Sequence, residues 1–242
     1  MGPNRTQPPP AWGTDPLSEF MDGALANTFA TFANKKKHYD LLSNVDSCFC
    51  RAALHLSDPP DLTTCFLLFR CHSAYRAACR LAVSGQAAES FVILRSCLEY
   101  SLYALHMYRN PRAAEVWLQR HDNHESTSAV KLEFTTGTVM TTLKNIDVSL
   151  HSKIKLLYDR SVDYGAHPNE RAVTGSLKIE GALRSKRYLS IYCHGDGPAL
   201  EHALKTSAQI GLGSLLIFRF IFPDRFAVLG ISERIDRLRQ SM

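Results

Sequence analysis

Two strongly apolar stretches, at about 61–84 and 86–109, are separated by Ser84 and Gly85 alone. Each repeats apolar residues at three- and four-residue spacings, the pattern of a helix with a buried stripe. A glycine at that junction ends a helix readily, because it takes the left-handed conformation without steric penalty. A link so short folds the second helix back on the first, so an antiparallel helical hairpin is the predicted core pair of the chain. The predicted class is all-α, an antiparallel helical bundle.

The rest of the chain fits around that pair. Helical periodicity covers about 17–32 and 35–56, with Phe20, Leu25, Phe29 and then Tyr39, Leu42, Val45 on the apolar faces. The segment 57–62 breaks the pattern and offers Asp61 as an N-cap. Asn110-Pro111 opens a short helix to about 120, and a polar stretch that includes HDNHE at 121–125 reads as loop. Helices are predicted again at about 129–142, 148–167, 197–222 and 231–238. Between Arg171 and His194, β-branched and aromatic residues gather around a glycine and a basic turn, which predicts a small hairpin or extended excursion. Residues 1–16 combine proline, glycine and polar residues without periodicity and predict a disordered Pro-rich arm. No linker divides the core helices, so 17–242 is expected to be a single α-helical domain.

Composition excludes several classes. With 242 residues, 45% hydrophobic, the chain is long enough to bury a core without staples. The apolar run 211–222 is interrupted by Arg219 and too short to span a bilayer, so no membrane contact is expected. No charged flank leads into an apolar segment at the N-terminus, which predicts a cytoplasmic protein. The net charge of +5 is uneven: residues 1–150 hold 14 basic and 14 acidic side chains, whereas 151–242 hold 14 and 9. A polyanionic partner would therefore meet the last third of the chain.

Seven cysteines, an odd number and mostly within apolar runs, read as reduced core thiols. Cys48-x-Cys50, Cys71-His72 and Cys193-His194 are metal-ligand types, but none is joined by a second matching knuckle. No metal site and no cofactor are predicted.

Two polar constellations stand out. In the helix at 86–109, Arg95, Glu99, Tyr103 and His106 share one face of an otherwise apolar segment. A charge buried there costs several kcal/mol unless paired, so the pattern implies either a buried ion pair or the wall of a polar cleft. In YDRSVDYGAHPNE, an unbroken helix would bring Arg160, Tyr164 and His167 onto one face at its end. Arginine grips phosphate through a bidentate fork and histidine moves protons near neutral pH, so the trio suits phosphodiester chemistry. The same histidine, preceding Pro168, also suits a helix cap.

Together, ILRSCLEYSLYALHMYRNP and the later LYDRSVDYGAHPN resemble a group of mostly uncharacterised bacterial helical proteins related to the HEPN superfamily, over about residues 60–222. The resemblance implies a dimeric helical bundle and, in catalytic members, a metal-independent ribonuclease with an Arg-x₄₋₆-His motif. His167 would then be the acid or base and Arg160 the phosphate ligand. Tyr164, Arg95, Glu99 and Asn169 would support them, and Arg184, Lys186 and Arg187 would add contacts to RNA phosphates. A toxin–antitoxin or defence setting would supply an antitoxin or nucleotidyltransferase partner. Ser161 departs from the family, which places Asn, Asp or His after the arginine. Many relatives with drifted motifs are binding proteins rather than nucleases, so the second expectation is a non-catalytic helical module for a nucleotide or a protein partner.

Overall fold

The computed structural model describes residues 7–54, 62–166, 170–181 and 185–240. Within them the chain forms twelve α-helices and a two-stranded antiparallel hairpin. The predicted pair is present as α3 (Leu62–Val83) and α4 (Ala87–Arg109), the most closely packed elements of the fold. Gly85 sits at φ +85°, its amide bonding to Ala82 O and the Gln86 amide to Leu81 O. Those two bonds make a Schellman ending that satisfies carbonyls of the last turn. The predicted N-cap Asp61 lies outside the described residues.

The core is completed by α2 (Lys36–Ala53), which packs on α3, and by the long α10 (Pro198–Ile221), which packs on both members of the pair and on α2. Tyr75 of α3 is fully buried among them, and its hydroxyl donates to Leu42 O of α2 at 2.9 Å. A buried tyrosine needs such a partner, because an unsatisfied hydroxyl costs free energy. On the other side of α4 lie α7 (Thr136–Lys144) and α8 (Val148–Ser161). Among the described residues no helix is long and apolar enough to cross a membrane.

Local capping explains where the elements depart from their predicted limits. Asn123 accepts from the Ser126 amide and starts α6 (His124–Glu133), so His124 and Glu125 of the expected loop are helical. Thr135 accepts from the Thr138 amide, which breaks the expected helix at 129–142 into α6 and α7. Pro111 starts the short α5 (Pro111–Leu118) as its first-turn position allows. Pro223 likewise follows the end of α10 and opens α11 (Pro223–Val228), ahead of α12 (Ile231–Gln240).

The helix expected to reach His167 stays α-helical only to Ser161 and continues as a π-helical turn over Val162–Ala166. Gly165 accounts for the fit of that turn against α4. A Cβ there would collide with Ala88 O and come within 2.9 Å of Phe91 Cβ. After α9 (Glu170–Thr174), the expected hairpin is present as β1 (Leu177–Glu180) and β2 (Arg187–Ser190), in the register Leu177 to Ser190.

The described part of the Pro-rich segment turns back on α1 (Pro16–Asn34). Trp12 Nε1 donates to Asp22 Oδ1 at 2.6 Å, and Asp15 caps the helix by accepting from Leu17 and Ser18. A clasp joins three distant segments. The His194 amide donates to Gly85 O at 2.8 Å, and Asn27 Nδ2 of α1 donates to Ser84 O and His194 O.

Candidate functional site

Arg160 is placed by α8 so that it faces α10. Its Nη1 donates to Gln209 Oε1 at 2.9 Å and to Thr206 Oγ1 at 3.3 Å. Four residues on, in the π-helical turn, Tyr164 meets the same side of α10 as the i, i+4 spacing predicts. Its ring stands edge-on to His202 with centroids 4.7 Å apart, and lies 5.5 Å from Phe91. Phe91 and His202 are themselves 5.3 Å apart, so the phenol, the imidazole and a buried phenyl ring form one aromatic cluster. Arg171 approaches from α9, 5.8 Å above the Tyr164 ring and bonded to Asp163 at 3.2 Å.

The cluster lines a cavity of about 380 Å³ whose wall also includes Arg171, Ser176 and His194. Burial pushes the His202 imidazole below its usual pKa, and the cationic Arg160 and Lys205 add to the effect. His202 is thus held neutral near pH 7, where it can accept a proton. The same shift makes stability depend on pH. The unfolded chain takes up the His202 proton first as pH falls through about 6.5. The native state then loses stability between that pH and the lower native value. Melting temperatures of the His202→Gln variant should fall less steeply than wild type below about pH 6.5; equal slopes would contradict this.

Arg160 lines not that cavity but a groove of about 370 Å³ between α8 and α10. Its floor is apolar, with Ile154, Leu157, Leu212 and Leu216, and Lys153, Arg219 and Arg239 stand around it. Arg219 is engaged by Asp236 at 3.0 Å. The uneven charge seen in the sequence therefore has a local expression beside Arg160.

Arg95 and Glu99 lie elsewhere. Arg95 Nε donates to Glu99 Oε1 at 2.8 Å, Tyr158 OH donates to the same oxygen at 3.2 Å, and the guanidinium sits 5.4 Å over the Tyr158 ring. Tyr158 points from α8 toward α4 while Arg160, two residues on, points toward α10. The helix thus turns the pair and Arg160 to different sides. The rest of the α4 stripe is also engaged: Tyr103 OH donates to Phe134 O at 3.1 Å, and the buried His106 contacts Glu133 Oε1 through Nε2 and Thr142 Oγ1 through Nδ1. Of the two implications of that stripe, partially buried pairing describes Arg95 and Glu99.

His167, Asn169 and Arg184 lie outside the described residues. Lys186 and Arg187 are exposed on the hairpin, Arg187 opposite Glu180. The residue missed by sequence reasoning is His202. Its signal was present, because His202, Thr206 and Gln209 recur at i, i+4 and i+7 on one face of α10.

No protein-family model matches the chain, and neither a curated protein nor a solved structure matches it.

Proposed function

We propose that the chain is a HEPN-like protein that acts on RNA as a metal-independent endoribonuclease, with Arg160 and His202 at its centre. The observation that supports this reading is the His202 imidazole packed edge-on to Tyr164, with Arg160 held over the next two turns of the same α10 face. In the reaction, an imidazole takes the proton of the ribose 2′-hydroxyl, the oxygen attacks phosphorus, and the 5′-oxygen leaves with a proton. In this reading His202 carries one proton transfer, and His167 is the sequence's candidate for the other. The guanidinium of Arg160 attracts the phosphate and stabilises charge that develops on it. The ring cluster offers a stacking surface for an unpaired base.

The full chain, incubated with single-stranded RNA in the presence of EDTA, is expected to cleave it. His202→Gln and His167→Ala should each lower the rate by about 10²–10⁴-fold, the range for a lost general acid or base. Absence of cleavage by the wild type, or equal rates in all three proteins, would overturn the catalytic reading. One observation favours a non-catalytic module instead: Arg160 Nη1 is engaged by Gln209 and Thr206, as an arginine that only braces two helices would be. That reading predicts RNA or nucleotide binding with no cleavage.

A further inference from the structure

The cysteine and histidine pairs of the sequence meet in a combination that spacing along the chain does not show. Asp46 and Cys50 are one turn apart on α2, and His72 and Arg76 are one turn apart on α3. Packing of α2 on α3 turns all four toward each other. His72 Nε2 is 2.7 Å from Asp46 Oδ1, and Cys50 Sγ is 3.6 Å from Asp46 Oδ2. One donor atom each from Asp46, Cys50 and His72 lie within 4.8 Å of one another. The imidazole is held in place by stacking on the fully buried Phe49, with centroids 5.1 Å apart and planes 9° from parallel.

A cation already uses these donors. Arg76 Nε donates to Asp46 Oδ1 at 2.7 Å, and Nη2 donates to Asp46 Oδ2 at 2.9 Å and to Cys50 Sγ at 3.0 Å. The carboxylate and the sulfur thus converge on one positive group. That group belongs to a side chain 58% exposed, which can swing into solvent. Asp46 and Arg76 also line a groove of about 320 Å³ beside Tyr39, Leu42 and Cys79, which gives an ion a way in.

We propose that Asp46, Cys50 and His72 bind a borderline divalent cation of the zinc type, in competition with the guanidinium of Arg76. The donor set decides the class of ion. Thiolate, imidazole and carboxylate together are ligands of zinc, whereas magnesium and calcium take oxygen. Bonds of about 2.0–2.3 Å put tetrahedral ligands roughly 3.3–3.8 Å apart. The Cys50–Asp46 separation is already in that range, and His72 needs to retreat from Asp46 by about 1 Å. Three protein ligands leave the fourth position to water or substrate, the pattern of a reactive rather than a closed structural site. None of these residues belongs to α8 or α10, so the proposal stands apart from the reading of Arg160.

The test is a titration of the chelator-treated full chain with Co(II), read by absorption. Expected are a thiolate-to-cobalt charge-transfer band with the visible bands of a tetrahedral ion, saturating at one ion per chain and abolished by Zn(II). Cys50→Ser should lose the charge-transfer band with an unchanged far-ultraviolet circular dichroism spectrum. Arg76→Ala, with the competing cation removed, should bind about tenfold more tightly, or about 1.4 kcal/mol. A band that survives in Cys50→Ser assigns the ion to other cysteines and overturns the proposal. Absence of the band in both the wild type and Arg76→Ala overturns it equally.

Discussion

Phe91→Ala is expected to lower the free energy of unfolding by about 3–5 kcal/mol, the range for a buried phenylalanine truncated to alanine. The ring is 2% exposed and lies where α4, the π-helical turn and α10 meet, in contact with Tyr164 and His202. Truncation leaves a cavity bounded by three elements that have separate reasons for staying where they are. Collapse is therefore partial, and most of the lost contact is not regained. The same change opens His202 to water, so its pKa should rise back toward about 6.5. Denaturant unfolding measures the first effect and a proton NMR titration of the imidazole the second. A loss below about 1 kcal/mol with an unmoved His202 titration would show that the ring is not the keystone of this corner.

Gly165→Ala should come next in size. The added methyl group points at the carbonyl of Ala88, which is backbone in the first turn of α4 and cannot rotate aside as a side chain would. The π-helical turn must then lift off α4, at about 1–3 kcal/mol for overpacking. Because that turn carries Tyr164 and follows directly from Arg160, the shift also disturbs their contacts with α10. The RNA cleavage we propose should fall with stability. Gly23→Ala in α1 is the control, since a Cβ there meets nothing within 4 Å. It should be neutral or stabilising by up to about 1 kcal/mol, as alanine is the better helix former. Equal effects at the two glycines would refute the packing account of Gly165.

The bundle was legible because its signals are local. Gly85 between two periodic apolar runs is sufficient to specify a helical hairpin, and the structure ends α3 with that residue in the left-handed conformation. The start at Asn123 and the break at Thr135 were harder, since each depends on one capping side chain, the first within a polar stretch that reads as loop and the second set against continuous helical periodicity. The π-helical turn depends on how closely Gly165 approaches a different helix, which periodicity within 148–167 does not encode. Arg95 and Glu99 announced in sequence that they needed a partner; that Tyr158 supplies part of it is tertiary information. His202 was overlooked because a single histidine near the start of a long helix looks like ordinary core chemistry until Thr206 and Gln209 are set beside it. The meeting of Asp46 and Cys50 with His72 follows from the packing of α2 on α3 and has no trace in spacing along the chain.

The clasp at Gly85 has a consequence for the order in which the molecule comes together. It joins Asn27 to segments 57 and 167 residues away. Closing chain loops of that length costs entropy before any contact compensates for it. The turn that presents Gly85 is made locally by α3 and α4, so that half of the clasp is ready early. The other half waits for residues that precede α10. His194 is also part of the wall around His202, so the long loops that the clasp closes are tied down beside that cavity by one main-chain hydrogen bond and one asparagine.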